Sequence, residues 1–436
     1  MYLPDHVRQC LEKLELNHFA CYAVGGCVRD ALLGLTPHDY DLCTNALPGQ
    51  IKEIFSDHTL VLAGEKHGTV GVVTDGEVVE ITTFRTEGDY ADNRHPGWVK
   101  FETDIEADLS RRDFTVNAMA WSPTRGLADP FGGRQDLENK VLRSVGDGNT
   151  RFTEDALRIL RGCRFAVRFD LQLEEKTLQA MYDKAPLLDN IAKERIFDEL
   201  CKLLPLVKVE DLLRFAPILK QVIPELGPTM GFDQRNSHHI YDVYTHICHV
   251  VAGVPPVLSL RWAALLHDLG KPATFTMGTD GQGHYYGHAE VSAQMADEIL
   301  HRLKAPTALR EEVIFLISRH MNRPEADKKL LRRHLSRWGE ENLRTLLQLQ
   351  AADIGGKGVN EESFDFPEMH RIVDELVAEN SCLTLKDLAV NGHDLVALGI
   401  TGKEIGVHLN RLLSLVLDEE IKNEKAALLA EIRRNL

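Results

Sequence analysis

The sequence predicts an α+β fold, with a mixed sheet-and-helix head over residues 1–145 and an all-helical remainder. Short apolar runs at residues 19–24, 70–73 and 78–84 have the length and punctuation of strands. After Asp147-Gly148-Asn149 the texture changes to Leu-, Ala-, Arg- and Lys-rich stretches of helical periodicity that continue to the C-terminus. With 436 residues, the chain exceeds one ordinary core, and roughly 150 residues per domain suggests about three.

Composition narrows the function classes. Hydrophobic residues at 44% and charged residues at 27% are ordinary for a globular protein and exclude wholesale disorder. Apolar runs such as residues 263–266 are far shorter than the roughly 20 residues of a membrane span, so no membrane is expected. The start, Met1-Tyr2-Leu3-Pro4-Asp5-His6, has no basic region leading into an apolar stretch and gives no secretory signal. Eight cysteines without a Cys-x-x-Cys pair fit reduced thiols in a cytoplasm. A net charge of −16 argues against bulk non-specific nucleic-acid binding, so a polyanionic partner must be met by a local basic stripe.

Along the head, residues 19–24 read as a strand broken by Gly25-Gly26, and residues 28–33 as the start of a helix. Glycines at a strand–helix turn let backbone N–H groups approach a phosphate, and Arg29 adds a forked donor for phosphate oxygens. In His38-Asp39-Tyr40-Asp41-Leu42 the two aspartates share one face if the segment is a strand. Adjacent carboxylates repel unless a cation lies between them, and Mg²⁺ is the natural hard ion for carboxylates plus substrate phosphates. Glu80 is a candidate third carboxylate. Thr74-Asp75-Gly76-Glu77 joins two strand-like runs with hairpin chemistry. The polar stretch at residues 84–97, closed by Pro96-Gly97, reads as a mobile loop.

In the helical part, Arg158, Arg161, Arg164 and Arg168 recur at spacings that share a helix face, and Thr153-Glu154-Asp155 offers N-cap chemistry just before them. Such a stripe needs either carboxylates or a polyanion to neutralise it. Farther on, His267-Asp268 follows an apolar run, where a buried aspartate calls for a cation. His246, His288, His320 and Asp353 lie in helical surroundings of their own.

Taken in order, Gly25-Gly26-Cys27-Val28-Arg29-Asp30, Asp39-Tyr40-Asp41, Arg111-Arg112-Asp113-Phe114-Thr115-Val116-Asn117-Ala118 and Glu154-Asp155-Ala156-Leu157-Arg158-Ile159-Leu160-Arg161 resemble the tRNA nucleotidyltransferases of the bacterial and eukaryotic branch. These are the CCA-adding enzymes and their poly(A) polymerase relatives in the DNA polymerase β superfamily. The resemblance implies a polymerase-β-like head at 1–145, a helical neck at 146–222, a further domain at 223–375 and a helical tail at 376–436. It implies addition of C, C and A to tRNA 3′ ends from CTP and ATP with release of pyrophosphate. Asp39 and Asp41 would hold Mg²⁺ as the catalytic pair, while Gly26, Arg29 and Arg112 match nucleotide-contacting positions. Asp155 and Arg158 would read the base, and Arg161 and Arg164 the triphosphate; for Asp113 a structural ion pair with a neighbouring arginine is equally open. The polar stretch at 84–97 is similar to the loop that such enzymes use to switch from C to A addition. Its full length favours CCA over CC-only addition; A-only and poly(A) addition are also open to enzymes of this class.

The order His246, His267-Asp268, Asp353 resembles the HD phosphohydrolase superfamily. That match makes these four the ligands of a first metal, with His288 and His320 left for a second. Imidazole with carboxylate suits a transition metal better than Mg²⁺. Some CCA-adding enzymes carry an HD module with phosphatase, 2′-nucleotidase or cyclic phosphodiesterase activity. The rival from another class is an HD metal phosphohydrolase whose head merely grips RNA. The tail, with Asn391-Gly392-His393 and Gly402-Lys403, resembles the part of the family where helix starts meet tRNA, and plain helical packing fits its composition equally.

Overall fold

The computed structural model of the chain describes residues 1–88, 97–235, 240–279, 281–322, 325–358, 364–379 and 382–434. It divides into two compact units, Met1–Pro224 and Glu225–Leu436.

The first unit opens with helix α1 (Asp5–Leu16), which buries Val7, Cys10, Leu11 and Leu14 along one stripe. Strand β1 (Cys21–Val24), α2 (Gly26–Leu32), β2 (Asp41–Thr44), α3 (Pro48–Ile54), β3 (Thr59–Val61), β4 (Thr69–Thr74) and β5 (Glu77–Thr83) follow. Then come β6 (Arg85–Gly88), β7 (Trp98–Phe101), α4 (Ile105–Ser110), β8 (Ala120–Ser122) and β9 (Gly126–Ala128). Seven of these strands make one mixed sheet in the order β3-β4-β5-β2-β1-β8-β9. Within it only β2 and β5 run parallel. The β4–β5 hairpin turns at Asp75 and Gly76, both at positive φ (52° and 83°), as the Asp-Gly pair demands of a type I′ turn.

Two expectations change here. The polar stretch after Phe84 is not loop throughout: β6 pairs antiparallel with β7 from Arg85↔Phe101 to Gly88↔Trp98. The partner strand comes from beyond the polar run, so the run's own composition did not announce it; its residues 89–96 lie outside the described residues. Asp39 is not in a strand either. β1 ends at Val24 opposite Asp41, and Gly25 leaves the sheet, so β2 has no ladder partner before Asp41.

Helix α5 (Gly133–Glu138), β10 (Val141–Leu142), α6 (Gly148–Glu154), α7 (Leu157–Arg168), β11 (Gln172–Leu173), α8 (Glu175–Lys184), α9 (Lys193–Leu203), α10 (Val209–Arg214) and α11 (Ala216–Val222) complete this unit. The expected cap is rearranged. Thr153 and Glu154 belong to α6, where Thr153 Oγ1 donates back to the Asn149 carbonyl. Ala156 takes the N-cap position of α7, and Asp155 accepts from the Leu157 N–H of that helix at 3.0 Å.

The second unit is helical: α12 (Val243–Gly253), α13 (Leu258–Leu266), α14 (Lys271–Thr274), a short ladder of β12 (Thr276–Met277) with β13 (Gly283–His284), then α15 (His288–Arg302) and α16 (Thr307–Arg319). Every residue of α13 from Ser259 to Leu266 is buried, Trp262 completely. Helices α12 and α16, with α18 (Glu340–Gly355), pack around it, as a helix buried on every side requires. Leu331 and Leu335 of α17 (Lys328–Trp338) form another core with Leu343, Leu347, Met369 and Ile372, the last two from α19 (Phe366–Ala378). The tail, with α20 (Gly392–Val396), α21 (Lys403–Leu417) and α22 (Lys425–Arg434), buries Leu395, Leu412, Leu428 and Ile432 together. No helix among the described residues is long and apolar enough to cross a membrane.

Candidate nucleotide cleft and metal centre

The turn between β1 and α2 requires glycine. Gly25 sits at φ +77°, and a Cβ there would come within 2.9 Å of Arg112 Nη1. Its N–H donates to the Met119 carbonyl at 3.0 Å, which pins the turn to the segment before β8. Gly26 opens α2, and Arg29 on that helix is buried. Arg29 Nε and Nη2 both donate to Asp30 Oδ1, at 2.8 and 2.6 Å, while Nη1 donates to Asn117 Oδ1 at 2.5 Å.

Asp41 and Glu80 stand on the adjacent interior strands β2 and β5, and Asp39 is near enough to act on Asp41 electrostatically. Leu42 of β2 pairs with Ile81 of β5, so Asp41 and Glu80, each one residue earlier, point to the same face, opposite the buried Leu42 and Ile81. Asp41 is an exposed residue whose carboxyl is nonetheless partly desolvated by the surrounding sheet. That desolvation raises its pKa, Glu80 and Asp39 raise it further, and Arg112 opposes them. The acids are therefore close enough to repel, and the local charge is short of a counter-ion. This is the condition a divalent cation relieves.

A cleft of about 400 Å³ is lined by Arg111, Arg112, Asp113, Asp155, Arg158 and Arg161 together with Arg195, Asp198, Glu199 and Lys202 of α9. The structure thus brings Arg112, Asp155, Arg158 and Arg161 to one place. The basic stripe of α7 is largely neutralised by carboxylates. Arg158 Nη1 donates to Glu154 at 2.8 Å and its Nη2 to the Arg111 carbonyl at 2.9 Å. Arg161 holds Asp113 at 2.8–2.9 Å, and Arg164, buried, donates from Nε to Glu199 at 2.7 Å. Burial works against the Asp113 charge, but Arg161 and the Asn117 amide overcome it and bring the pKa down to about 2. Asp113 is thus the structural ion-pair partner of Arg161.

Sequence reasoning missed the contribution of α9. Arg195 Nη2 lies 3.5 Å from Asp155 Oδ2, and its Nη1 and the Arg112 Nε are buried with no hydrogen-bond partner. The available signal was spacing: charges at 195, 198, 199 and 202 occupy one face while Ile196, Leu200 and Leu203 are buried on the other.

In the second unit, His246 from α12, His267-Asp268 after α13 and Asp353 from α18 converge, all buried, with their ligand atoms within 4.8 Å of one another. Asp268, His288 and His320 form a second such group. The histidine Nδ1 atoms of 267, 288 and 320 lie 2.8, 2.8 and 2.7 Å from the carbonyls of Ala264, Tyr285 and Ile317, which orients each ring with Nε2 facing inward. Asp268 Oδ2 stands 3.3 Å from His246 and 3.2 Å from His267, and Oδ1 stands 3.4 Å from His288. Lys271 Nζ approaches Asp268 Oδ2 at 2.7 Å. Burial disfavours charge on His267, yet Asp268 overrides it and holds the ring at about 10, while burial drives His320 down to about 4. Buried carboxylates that need positive charge, facing oriented imidazoles, form a donor set that fits a transition-metal ion. A cavity of about 610 Å³ opens onto Asp268, His288, His320 and Asp353, with Lys271 and Lys357 in its wall.

A family model described as the Poly A polymerase head domain matches residues 21–143. One described as a probable RNA and SrmB- binding site of polymerase A matches residues 170–229, and a putative tRNA nucleotidyltransferase domain 2 matches residues 287–432. A CCA-adding enzyme of Streptococcus mutans is 32% identical over 440 residues, covering 100% of this chain and 99% of that protein. One of Streptococcus suis is 50% identical over 205 residues, 46% of this chain and 50% of its own length. Among solved structures, the Bacillus stearothermophilus CCA-adding enzyme in complex with CTP superposes with a TM-score of 0.70 at 28% identity, covering 100% of this chain and 99% of that one. The Thermotoga maritima CCA-adding enzyme complexed with tRNA shares the fold, with a TM-score of 0.62 at 21% identity and coverage of 99% and 95%. Similarity that runs the whole length of the chain, and a mixed-sheet head whose strand-to-helix turn carries two glycines beside an acidic pair, lead to one conclusion: the chain belongs to the CCA-adding enzymes, a family of nucleotidyltransferases.

Proposed function

We propose that this chain adds C, C and A to tRNA 3′ ends from CTP and ATP without a nucleic-acid template, and that the cleft beside Asp39 and Asp41 is where it does so. The observation that carries the reading is the convergence of Arg112, Asp155, Arg158 and Arg161 on one cleft, with Arg112 also acting electrostatically on Asp41. Asp39 and Asp41 are the residues that would hold Mg²⁺; bound there, it supplies activation of the tRNA 3′-hydroxyl and neutralises charge on the triphosphate and departing pyrophosphate. Gly26 lets the backbone approach the phosphates, and Arg29, Arg112 and Arg161 provide fixed positive charge around them, while Arg164, buried against Glu199, would meet a triphosphate only by exchanging that partner. Asp155 accepts from the amino group that cytosine and adenine share, and Arg158 donates to the neighbouring ring nitrogen or carbonyl. Uracil and guanine present a carbonyl at that place and leave the carboxylate facing an acceptor. The eight free cysteines fit work in a reducing cytoplasm.

The second unit adds a metal-dependent phosphohydrolase. His246, His267, Asp268 and Asp353 would hold one transition-metal ion, and His288 and His320 with Asp268 another. A metal there supplies the Lewis acidity and activated water that phosphoester hydrolysis needs. Lys271 and Lys357 place ammonium groups in the cavity wall, suited to a substrate phosphate.

The test is extension of tRNA lacking its terminal CCA with CTP alone, ATP alone and both. Two C additions with CTP, and a final A only when ATP is also present, are expected. Stopping at CC with both nucleotides would assign the chain to CC-only addition, and a long A tract with ATP to poly(A) addition. No transfer with any nucleotide would reject the reading.

A further inference from the structure

Arg29 and Arg161 stand on different helices, α2 and α7, yet one buried amide ties them together. Asn117 is 6% exposed. Its Oδ1 accepts from Arg29 Nη1, and its Nδ2 donates to Asp113 Oδ1 at 3.0 Å. Asp113 Oδ2 then accepts from Arg161 Nε at 2.9 Å. A second tie runs through aromatic rings. The Arg29 guanidinium lies 4.2 Å from the Phe169 centroid, Phe169 stacks on Phe165 at 6.0 Å, and Phe165 carries Arg161 at 5.1 Å. Both ties begin at the turn and end on the cleft, and neither includes Asp155.

We infer that Asn117 is a positioning residue for nucleotidyl transfer: it sets the spacing between Arg29 and Arg161 before the nucleotide arrives. Only an amide of this size both accepts from the guanidinium and donates to the carboxylate. Alanine leaves a buried guanidinium N–H and a buried carboxylate oxygen each without that partner, and aspartate turns the donor facing Asp113 into a repelling charge. Because the ties stop short of the base-reading aspartate, the effect falls on the part of the substrate that CTP and ATP share. The inference rests on assigning Arg29 and Arg161 to the triphosphate.

The experiment measures kcat and KM for CTP and ATP on the full chain carrying Asn117→Ala, Asn117→Asp or Phe169→Leu, beside Arg29→Ala and Arg161→Ala. Asn117→Ala is expected to raise KM about tenfold, by the same factor for both nucleotides, as the loss of a hydrogen bond to a charged group would. Its kcat stays within roughly threefold, as when uniform binding is removed. Phe169→Leu, which keeps the apolar bulk, raises both KM values in parallel and serves if Asn117→Ala fails to fold. Folded variants with unchanged KM, or a change for one nucleotide only, overturn the inference. If the arginine variants also leave KM unchanged, the assignment of those arginines to the nucleotide fails with it; if they raise KM and the Asn117 and Phe169 variants do not, only the inference falls.

Discussion

Asp41→Ala is expected to abolish nucleotide transfer, lowering kcat by about a thousandfold or more, the scale of several kcal/mol of lost charge stabilisation at the reacting phosphoryl group. Asp41→Asn should be nearly as inactive, since it keeps the shape of the side chain and removes only its charge. Folding should survive both changes. Asp41 stands at the start of β2, and the residues that anchor the strand, Leu42 and Cys43, are fully buried and untouched. Removing a carboxylate that Glu80 and Asp39 already repel relieves strain, so the melting temperature of Asp41→Asn should hold or rise slightly. Single-turnover extension with labelled CTP and a thermal melt check the two halves of this prediction. Retained transfer would remove Asp41 from the chemistry.

Asp268→Asn should have an effect of similar size on a different readout, emptying the second unit of metal while leaving tRNA extension unchanged. Asp268 is shared by both candidate groups: Oδ2 faces His246 and His267, and Oδ1 faces His288. Losing it should therefore cost both ions, whereas Asp353→Asn strikes only the group with His246 and His267. The variant also leaves Lys271, buried and 2.7 Å from Asp268, without its anion, at a cost of about 3 kcal/mol or more. Elemental analysis of purified protein should find metal in the wild type and essentially none in Asp268→Asn. Equal metal content in the two would refute the assignment.

What could be read from the chain before folding was mostly local. The Asp75-Gly76 hairpin, the Gly25 turn and the apolar run that ends before His267 follow from neighbouring residues, so sequence reading found them. The meeting of His246, His267, Asp268 and Asp353 was also anticipated, through the resemblance carried by their order and not through composition, since the chain holds 19 histidines. Features set by distant partners were not. Arg161 finds its carboxylate 48 positions away in Asp113, and Arg164 finds Glu199 35 positions away, so the sequence left open whether carboxylates or a polyanion neutralise the stripe. The role of α9 was harder to see for the same reason: Arg195 reaches Asp155 across the fold, and the one-sided charges at 195, 198, 199 and 202 do not say what they face. Asp39 lost its strand because β1 ends at Val24, a tertiary fact that period-two counting around Asp39 cannot supply.

The central claim is that an acidic pair performs transfer while Asp155, in the cleft whose Arg112 also acts on Asp41, selects the base. The most direct measurement is the ratio of kcat/KM for CTP over UTP in the wild type and in Asp155→Asn, whose amide can donate to the uracil carbonyl that a carboxylate rejects. The wild type should favour CTP by about a thousandfold or more, and Asp155→Asn should shrink that preference by about a hundredfold, with UTP incorporated at the C positions. A preference that survives the substitution intact would contradict the account.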